Sequence, residues 1–317
     1  MNRERYLEAL RGRRVLVTGG AGFIGSHLVR GLEEAGVSWT GVLHDTPAPE
    51  QGTRVERWVR ADLADADALE SLVSSVQPDI VFHLAGVRGA ERTLEFAERA
   101  IRGNFLISHQ LLAALGRSAR PRRIVLVGSS EEYGRQETLP YTEDLPARPV
   151  SPYSASKATV TQFALLYHQL FAMPVVLLRP FVIYGPGQGG GMLIPSLMEA
   201  LVRGEPFPMT AGEQTRDFVY VDDVVDAMVA ASIADGAVGE IFNVCSGEER
   251  RIRDVAEEAV RVAGAPVGAL EIGALPYRQN EVWRLVGSNA KARRVLGWSP
   301  RVRLEDGLRR TWDAYSA

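Results

Sequence analysis

Val15-Leu16-Val17-Thr18-Gly19-Gly20-Ala21-Gly22-Phe23-Ile24-Gly25 is the first patterned stretch of the chain. Val15, Leu16 and Val17 form a continuous apolar run of the kind a strand buried on both faces shows, and the glycines end it. Ile24, Leu28 and Leu32 then recur with a period near four, the stripe of an amphipathic helix, which Gly36 terminates. Between strand and helix, Gly19, Gly22 and Gly25 stand in a G-x-x-G-x-x-G spacing. A helix N-terminus offers unpaired N–H groups and a positive dipole end, and glycine lets an anion come close. The turn therefore predicts a dinucleotide pyrophosphate site on Gly19, Gly22, Phe23, Ile24 and Gly25.

The alternation continues down the chain. Strands are expected at 39–43, 80–84, 124–127, 175–178 and 241–244, and helices at 69–76, 104–115 and 153–171. Strands separated by helices of this length require right-handed crossovers and hence a parallel sheet. The expected fold is α/β, a Rossmann-type doubly wound parallel sheet with a smaller, mostly C-terminal α/β substrate domain. A dinucleotide-binding domain is expected over 1–180, completed by segments near 214–246, with the substrate domain mainly over 181–317. The glycine-rich run Gly185-Pro186-Gly187-Gln188-Gly189-Gly190-Gly191 reads either as a linker or as a substrate-facing lid between the lobes.

Composition removes several function classes. The 317 residues carry a net charge of −3 with no long run of one sign, which argues against a nucleic-acid partner. The single cysteine, Cys245, excludes an intramolecular disulfide and a cysteine-ligated metal site, and no metal is expected. No apolar stretch reaches the roughly 18–20 residues of a membrane span. Residues 1–14 are charged throughout and lack an apolar signal-peptide centre, so the chain reads as cytoplasmic with no membrane partner. Only Lys157 and Lys291 among the 36 basic residues are lysines, which makes the placement of each informative.

Lys157 stands four residues after Tyr153, within Ser151-Pro152-Tyr153-Ser154-Ala155-Ser156-Lys157. Ser151 and Pro152 suit a helix start, so the two side chains share one helical face. A phenol with an ordinary pKa near 10 carries protons poorly at neutral pH; a neighbouring ammonium is expected to lower that value and make Tyr153 a usable acid/base. Gly128-Ser129-Ser130-Glu131-Glu132-Tyr133-Gly134 directly follows the strand at 124–127. Ligands of open parallel sheets bind beyond the carboxyl ends of the strands, which puts Ser129 in the same crevice.

Together these segments resemble the extended short-chain dehydrogenase/reductase superfamily (the NAD-dependent epimerase/dehydratase family), in its nucleotide-sugar branch. The resemblance runs on through Asp62-Leu63, Phe82-His83-Leu84-Ala85-Gly86, Asn104, Tyr184-Gly185-Pro186-Gly187, Arg216-Asp217-Phe218-Val219-Tyr220-Val221-Asp222-Asp223 and Leu296-Gly297-Trp298-Ser299-Pro300. It implies Ser129, Tyr153 and Lys157 as the catalytic group, Asp62 near the adenine and Arg216 on the diphosphate of a nucleotide-diphosphate sugar. Leu63, Leu84, Ala85, Gly86 and Asn104 join the cofactor site by the same resemblance, and Arg88 and Ser130 the substrate site. Within the branch, Ser129–Gly134, Asn243-Val244-Cys245-Ser246-Gly247 and Arg278-x2-Glu281-Val282 look like the corresponding segments of GDP-4-keto-6-deoxy-mannose reductases. Arg278 and Glu281 are then expected at the nucleotide ribose. Glu131 occupies the place where related 4,6-dehydratases hold a C5 base. The resemblance also implies a homodimer formed through helices 104–115 and 153–171, and Val160, Ala164, Tyr167, His168 and Phe171 form an apolar-aromatic stripe suited to it.

Two positions depart from the pattern. Val182 stands where the family usually has asparagine, which removes one substrate hydrogen bond. At the end of the second strand an acid grips the ribose 2′-hydroxyl and repels a 2′-phosphate; here Leu43 stands there, followed by His44, with Asp45 two positions late. His44 suits a 2′-phosphate, whereas Asp45 selects NAD if it reaches the ribose, so the cofactor is NADP or NAD with NADP favoured. The expected activity is NAD(P)H-dependent reduction of a nucleotide-linked 4-keto-6-deoxy sugar. The alternative is a 4,6-dehydratase or 4-epimerase with retained NAD. A non-catalytic nucleotide-sensing regulator is disfavoured, because Ser129, Tyr153 and Lys157 are all kept.

Overall fold

The computed structural model describes residues 3–44, 57–278 and 281–317. Seven strands, β1 (Arg14–Thr18), β2 (Ser38–Leu43), β3 (Trp58–Arg60), β4 (Ile80–His83), β5 (Arg123–Val127), β6 (Val175–Pro180) and β7 (Ile241–Val244), pair in parallel. Their spatial order is β7-β6-β5-β4-β1-β2-β3. The order reverses between β1 and β4, and there the loops leaving the two strands open a crevice at their carboxyl ends.

Side chains alternate across the sheet and feed two separate cores. Val15 and Val17 of β1 pack with helix α1 (Phe23–Glu34) through Leu28, Val29 and Leu32. Leu16 faces the other layer, with Leu69, Leu72 and Val73 of α2 (Ala66–Val76) and Leu111 and Leu115 of α3 (Ile107–Ser118). Helix α4 (Pro152–Phe171) covers this second face, and α5 (Val221–Ile233) the first. Because both faces are covered, the central strands read as unbroken apolar runs.

Three features differ from the sequence pattern. Strand β3 has only three residues, with Val59 and Arg60 exposed, so it carries no periodic signal; it is held by the Trp58 ring, which packs on Gly41 and edge-on to Trp39. The helix expected at 104–115 belongs to a longer helical run that starts at Leu94, capped by Thr93, and widens into π-winding over Ile101–Leu106. The dimerisation stripe is split. Val160 and Ala164 are buried in the protomer and Tyr167 and His168 half-buried, while Phe163, Leu166, Leu170 and Phe171 are exposed.

A third apolar cluster gathers Leu197, Met198, Phe218, Val255, Val260 and Leu308, from segments between residues 184 and 308. Short strands accompany it: Val182–Tyr184 with Phe218–Tyr220, and Thr215–Arg216 between Arg250–Arg251 and Arg284–Leu285. The glycine-rich run is tied down rather than free. His27 of α1 donates its Nε2–H to the Pro186 carbonyl at 2.9 Å, and the Tyr315 hydroxyl donates to the Gln188 carbonyl.

Candidate active site

The turn after β1 is shaped by what its glycines exclude. Gly19 has φ +70, and a Cβ there would meet the Ala85 nitrogen at 2.5 Å, so the loops leaving β1 and β4 touch. A Cβ on Gly25 would lie 2.2 Å from the Gly19 carbonyl oxygen. Gly22 caps α1 with no side-chain hydrogen bond, and a Cβ there would meet only the Gly19 oxygen, at 3.3 Å. The first-turn N–H groups of α1 therefore face an open cradle, which fits the pyrophosphate of a dinucleotide. Phe23 is half-buried beside His27, and Ile24 packs onto the core.

Beneath the cradle runs a buried polar chain. The Ser108 hydroxyl donates to the Asn104 carbonyl at 2.6 Å, so His83 Nε2–H donates to Ser108, at 2.9 Å. His83 Nδ1 then accepts from the Thr18 hydroxyl at 2.6 Å. Burial, with the Lys157 charge adding to it, lowers the His83 pKa to about 3 and keeps the ring neutral. Leu84 N donates to the Thr18 carbonyl, and Asn104, 1% exposed, clamps Val87 from both its amide atoms and donates to Ser156. Gly86 must be glycine here, since a Cβ would meet Asn104 Oδ1 at 2.5 Å.

The adenosine end is less regular. Leu43 is buried in the protein core, and His44 is exposed with Nε2 3.5 Å from Asp62 Oδ1. Asp62 also accepts from Ala64 N, while Leu63 turns its side chain into the core. Arg60 of β3 donates to the His44 carbonyl at 3.0 Å, which places a guanidinium at this strand end that sequence reading did not single out. Asp45 lies outside the described residues.

Ser129, Tyr153 and Lys157 converge at the carboxyl end of β5. Ser151 accepts from Ser154 N and Pro152 is the first helical residue, so α4 starts where its cap requires and projects Tyr153 and Lys157 together. Ser129 is 8% exposed; its Oγ accepts from Glu131 N, and its hydroxyl faces the Tyr153 side chain. Lys157 donates to the Val127 carbonyl at 2.9 Å, and burial lowers its pKa to about 8. The expectation that this ammonium lowers the Tyr153 pKa fails in this geometry. Burial, reinforced by the Glu131 charge, pushes the phenol up, and the neighbouring Ser129 hydroxyl opposes this only in part. Tyr153 is therefore held as a phenol.

Glu131 opens on the cleft, and Ser130 beside it is buried. Desolvation raises the Glu131 carboxyl above the usual range, while Arg216, Arg278, Arg92 and Arg88 pull it down. The charge of these four arginines suits an anionic substrate; Arg92 was not foreseen. Arg216 and Glu281, expected at different parts of the nucleotide, are paired with each other at 2.5 Å, and Arg216 Nη1 is shared between the Thr215 and Val282 carbonyls. Val182 is half-buried on its short strand. Asp217 organises the surroundings: it accepts from Ser246 N and Oγ and from Gly247 N and Gly287 N, while burial raises its pKa to about 6 against these bonds. Among the described residues no group of three or more His, Cys, Asp or Glu side chains is placed to hold a metal ion.

Residues 15–245 match the model of the NAD dependent epimerase/dehydratase family. The chain belongs to that family. It is 34% identical over 310 residues to a UDP-glucose 4-epimerase of Mycolicibacterium smegmatis, covering 94% of this chain and 97% of the relative. It is 30% identical over 310 residues to the GDP-6-deoxy-D-mannose reductase of Pseudomonas aeruginosa, covering 94% and 95%. The solved structure of RMD from Pseudomonas aeruginosa, complexed with NADPH, superposes with a TM-score of 0.82 at 28% identity, covering 96% of this chain and 99% of that one. The expectations of a Rossmann-type fold and of an enzyme of the extended short-chain dehydrogenase/reductase type agree with this membership. No helix among the described residues is long and apolar enough to cross a membrane.

Proposed function

We propose that the protein catalyses NAD(P)H-dependent reduction of a nucleotide-linked 4-keto-6-deoxy sugar. The observation that carries this reading is the convergence of Ser129, Tyr153 and Lys157 at the carboxyl end of β5. A phenol held protonated by burial and by Glu131, with the Ser129 hydroxyl near it, gives the crevice two O–H groups for a ligand oxygen. That arrangement suits a carbonyl about to become an alkoxide, because the proton is already on the donor. When bound, the nicotinamide supplies the hydride. Ser129 polarises the carbonyl, Tyr153 delivers the proton to its oxygen, and Lys157 holds the cofactor ribose. Gly19, Gly22 and Gly25 seat the pyrophosphate of the cofactor. Arg216 neutralises the diphosphate of the substrate, for which it must exchange Glu281 for phosphate, and Arg278 meets the nucleotide ribose. The residues over 1–180, completed by segments near 214–246, hold the cofactor, and the mainly C-terminal part over 181–317 holds the nucleotide sugar.

The second reading is a 4,6-dehydratase or 4-epimerase with retained NAD; Glu131, a carboxylate that opens on the cleft, favours the dehydratase, in which a C5 proton has to leave. One assay separates them. Purified protein is offered GDP-, dTDP-, CDP- and UDP-4-keto-6-deoxy sugars with NADPH or NADH, and separately the parent 4-hydroxy nucleotide sugars. Stoichiometric oxidation of the cofactor supports reduction; turnover of the parent 4-hydroxy sugar with no net cofactor change supports the second reading.

NADP is the favoured cofactor. Leu43 brings no carboxylate to the ribose, and Arg60 adds a cation beside His44. A charge-assisted hydrogen bond to phosphate is worth about 1.5–3 kcal/mol, so Arg60→Ala is expected to lower kcat/KM for NADPH by roughly tenfold to a hundredfold, with little change for NADH. Equal effects on both cofactors sink the assignment.

The active form is a homodimer built on α3, α4 and the π-wound segment. Phe163, Leu166, Leu170 and Phe171 lie exposed along α4, and Phe105, His109, Phe163 and Tyr167 form a ring cluster between the helices.

A further inference from the structure

We propose that Glu132 is a positioning residue, which fixes the Ser129 backbone and supplies Lys157 with a buried counter-charge anchored at Thr161, one turn further along α4. This rests on the reading of Ser129, Tyr153 and Lys157 as the catalytic group.

Glu132 makes no contact expected of a substrate residue. Its side chain is 0% exposed, and both carboxylate oxygens are committed within the protein. Oε1 accepts from Ser129 N at 2.9 Å. Oε2 accepts from the Thr161 hydroxyl at 2.8 Å and from Arg179 Nε at 2.9 Å. Arg179 is itself 2% exposed and stacks over the Tyr133 ring at 4.5 Å, so the pair is dry and rigid. A buried Arg–Glu pair is a weak source of stability, which asks for another reason for its presence at this point of the fold.

Its position supplies one. The Ser129 N–H bond completes a capping box whose other half is the Ser129 side chain, and that serine places its hydroxyl toward Tyr153. A Cβ on Gly128 would meet Glu132 Oε1 at 2.3 Å, so glycine at 128 is what admits the carboxylate under the turn. Thr161 lies one turn after Lys157 on the same face of α4, so the carboxylate bound to Thr161 lies on the lysine's side of the helix, beyond direct ion-pair distance. The titratable and charged groups facing Lys157 are Tyr153 on its own helix, His83 from β4 and Glu132 from the turn, with Arg179 of β6 behind Glu132. Of these the Glu132 charge favours the ammonium, against the burial that opposes it. It also favours the phenol form of Tyr153. One carboxylate thus supports both protonation states that reduction needs.

The two lysines of the chain make the test direct. Lysine-selective isotope labelling of the full-length protein gives two side-chain signals, assigned with Lys291→Arg, and the Lys157 titration midpoint is read without any substrate. Glu132→Gln is expected to lower that midpoint by about one pH unit and to move the alkaline limb of turnover the same way. A purely structural role leaves the midpoint unchanged and scales activity equally at every pH. Should Glu132→Gln fold poorly, the double variant Glu132→Leu with Arg179→Met removes the pair without stranding a buried charge and is expected to show a smaller fall in the same direction. A wild-type midpoint in the folded variant overturns the proposal. Tyr153→Phe is measured in parallel: turnover retained there overturns the assignment of the catalytic group itself, whatever Glu132 does.

Discussion

Lys157 illustrates the tension at a single residue between what folding favours and what the chemistry needs. A base whose pKa falls on folding binds fewer protons in the folded than in the unfolded chain across the interval between the two values. For Lys157 that interval runs from about 8 to 10.5, so its contribution to stability rises with pH there, and below it the charged amine weighs against the fold. Lys157→Met keeps the length and removes the charge. Its expected effect on the cofactor-free protein at pH 7 is a melting temperature higher by about 2–4 °C, with turnover lost. The difference between variant and wild type should shrink as the pH rises from 8 to 10.5. Calorimetry over that range checks it; a melting temperature lowered by the substitution would show that the Val127 hydrogen bond outweighs the desolvation of the ammonium. The same balance explains the Tyr153 result. Residue spacing alone promised an ammonium acting on a phenol, but the ammonium is aimed at a carbonyl, and burial governs the phenol instead.

Legibility at the scale of elements depends on whether the determinant is local. The glycine turn after β1 and the Ser151-Pro152 start of α4 are contained in a few consecutive residues, and both form where the sequence places them. The capping box at Ser129 is equally visible as Ser-x-x-Glu, although the resemblance to 4,6-dehydratases directs the functional reading to Glu131 instead. Other determinants are non-local: Glu132 meets Arg179 across 47 residues, and Asp217 meets Gly287 across 70. No periodicity announces a pair that exists only after the sheet has closed. Asp217 joins the Thr215–Arg216 strand to the loops at 246–247 and 287, so it sets the place of Arg216. Asp217→Asn turns one acceptor into a donor facing buried N–H groups, at a cost of about 1–3 kcal/mol. The expected result is a lower urea midpoint with an unchanged slope, and a KM raised more for the nucleotide sugar than for the nicotinamide cofactor. Equal KM changes would detach Asp217 from the substrate side.

Viewed as a whole, the molecule uses α4 twice. Its N-terminal turns carry Tyr153 and Lys157 into the crevice, and its C-terminal half leaves Leu170 and Phe171 60% and 63% exposed. From Tyr153 to Phe171 the helix runs about 27 Å, far enough that a surface change at one end leaves the hydrogen bonds at the other untouched. Apolar side chains of this size in a row on one helix, beside the Phe105–Phe163 ring contact, are what a helix–helix interface buries. Wild type is therefore expected to sediment at twice the chain mass at micromolar concentration. In a two-fold interface each residue occurs twice, so a single substitution acts twice. Burying one such side chain is worth about 1.5–3 kcal/mol, and losing it from both protomers weakens association by roughly 10²–10⁴-fold. Leu170→Glu adds a charge to that loss and should give a monomer at the same concentration. Because the crevice is remote, the monomeric variant should bind NADPH with wild-type affinity, which separates loss of the interface from loss of the fold. A wild-type chain that sediments as a monomer removes the interface, and a dimer unmoved by Leu170→Glu places it on another face.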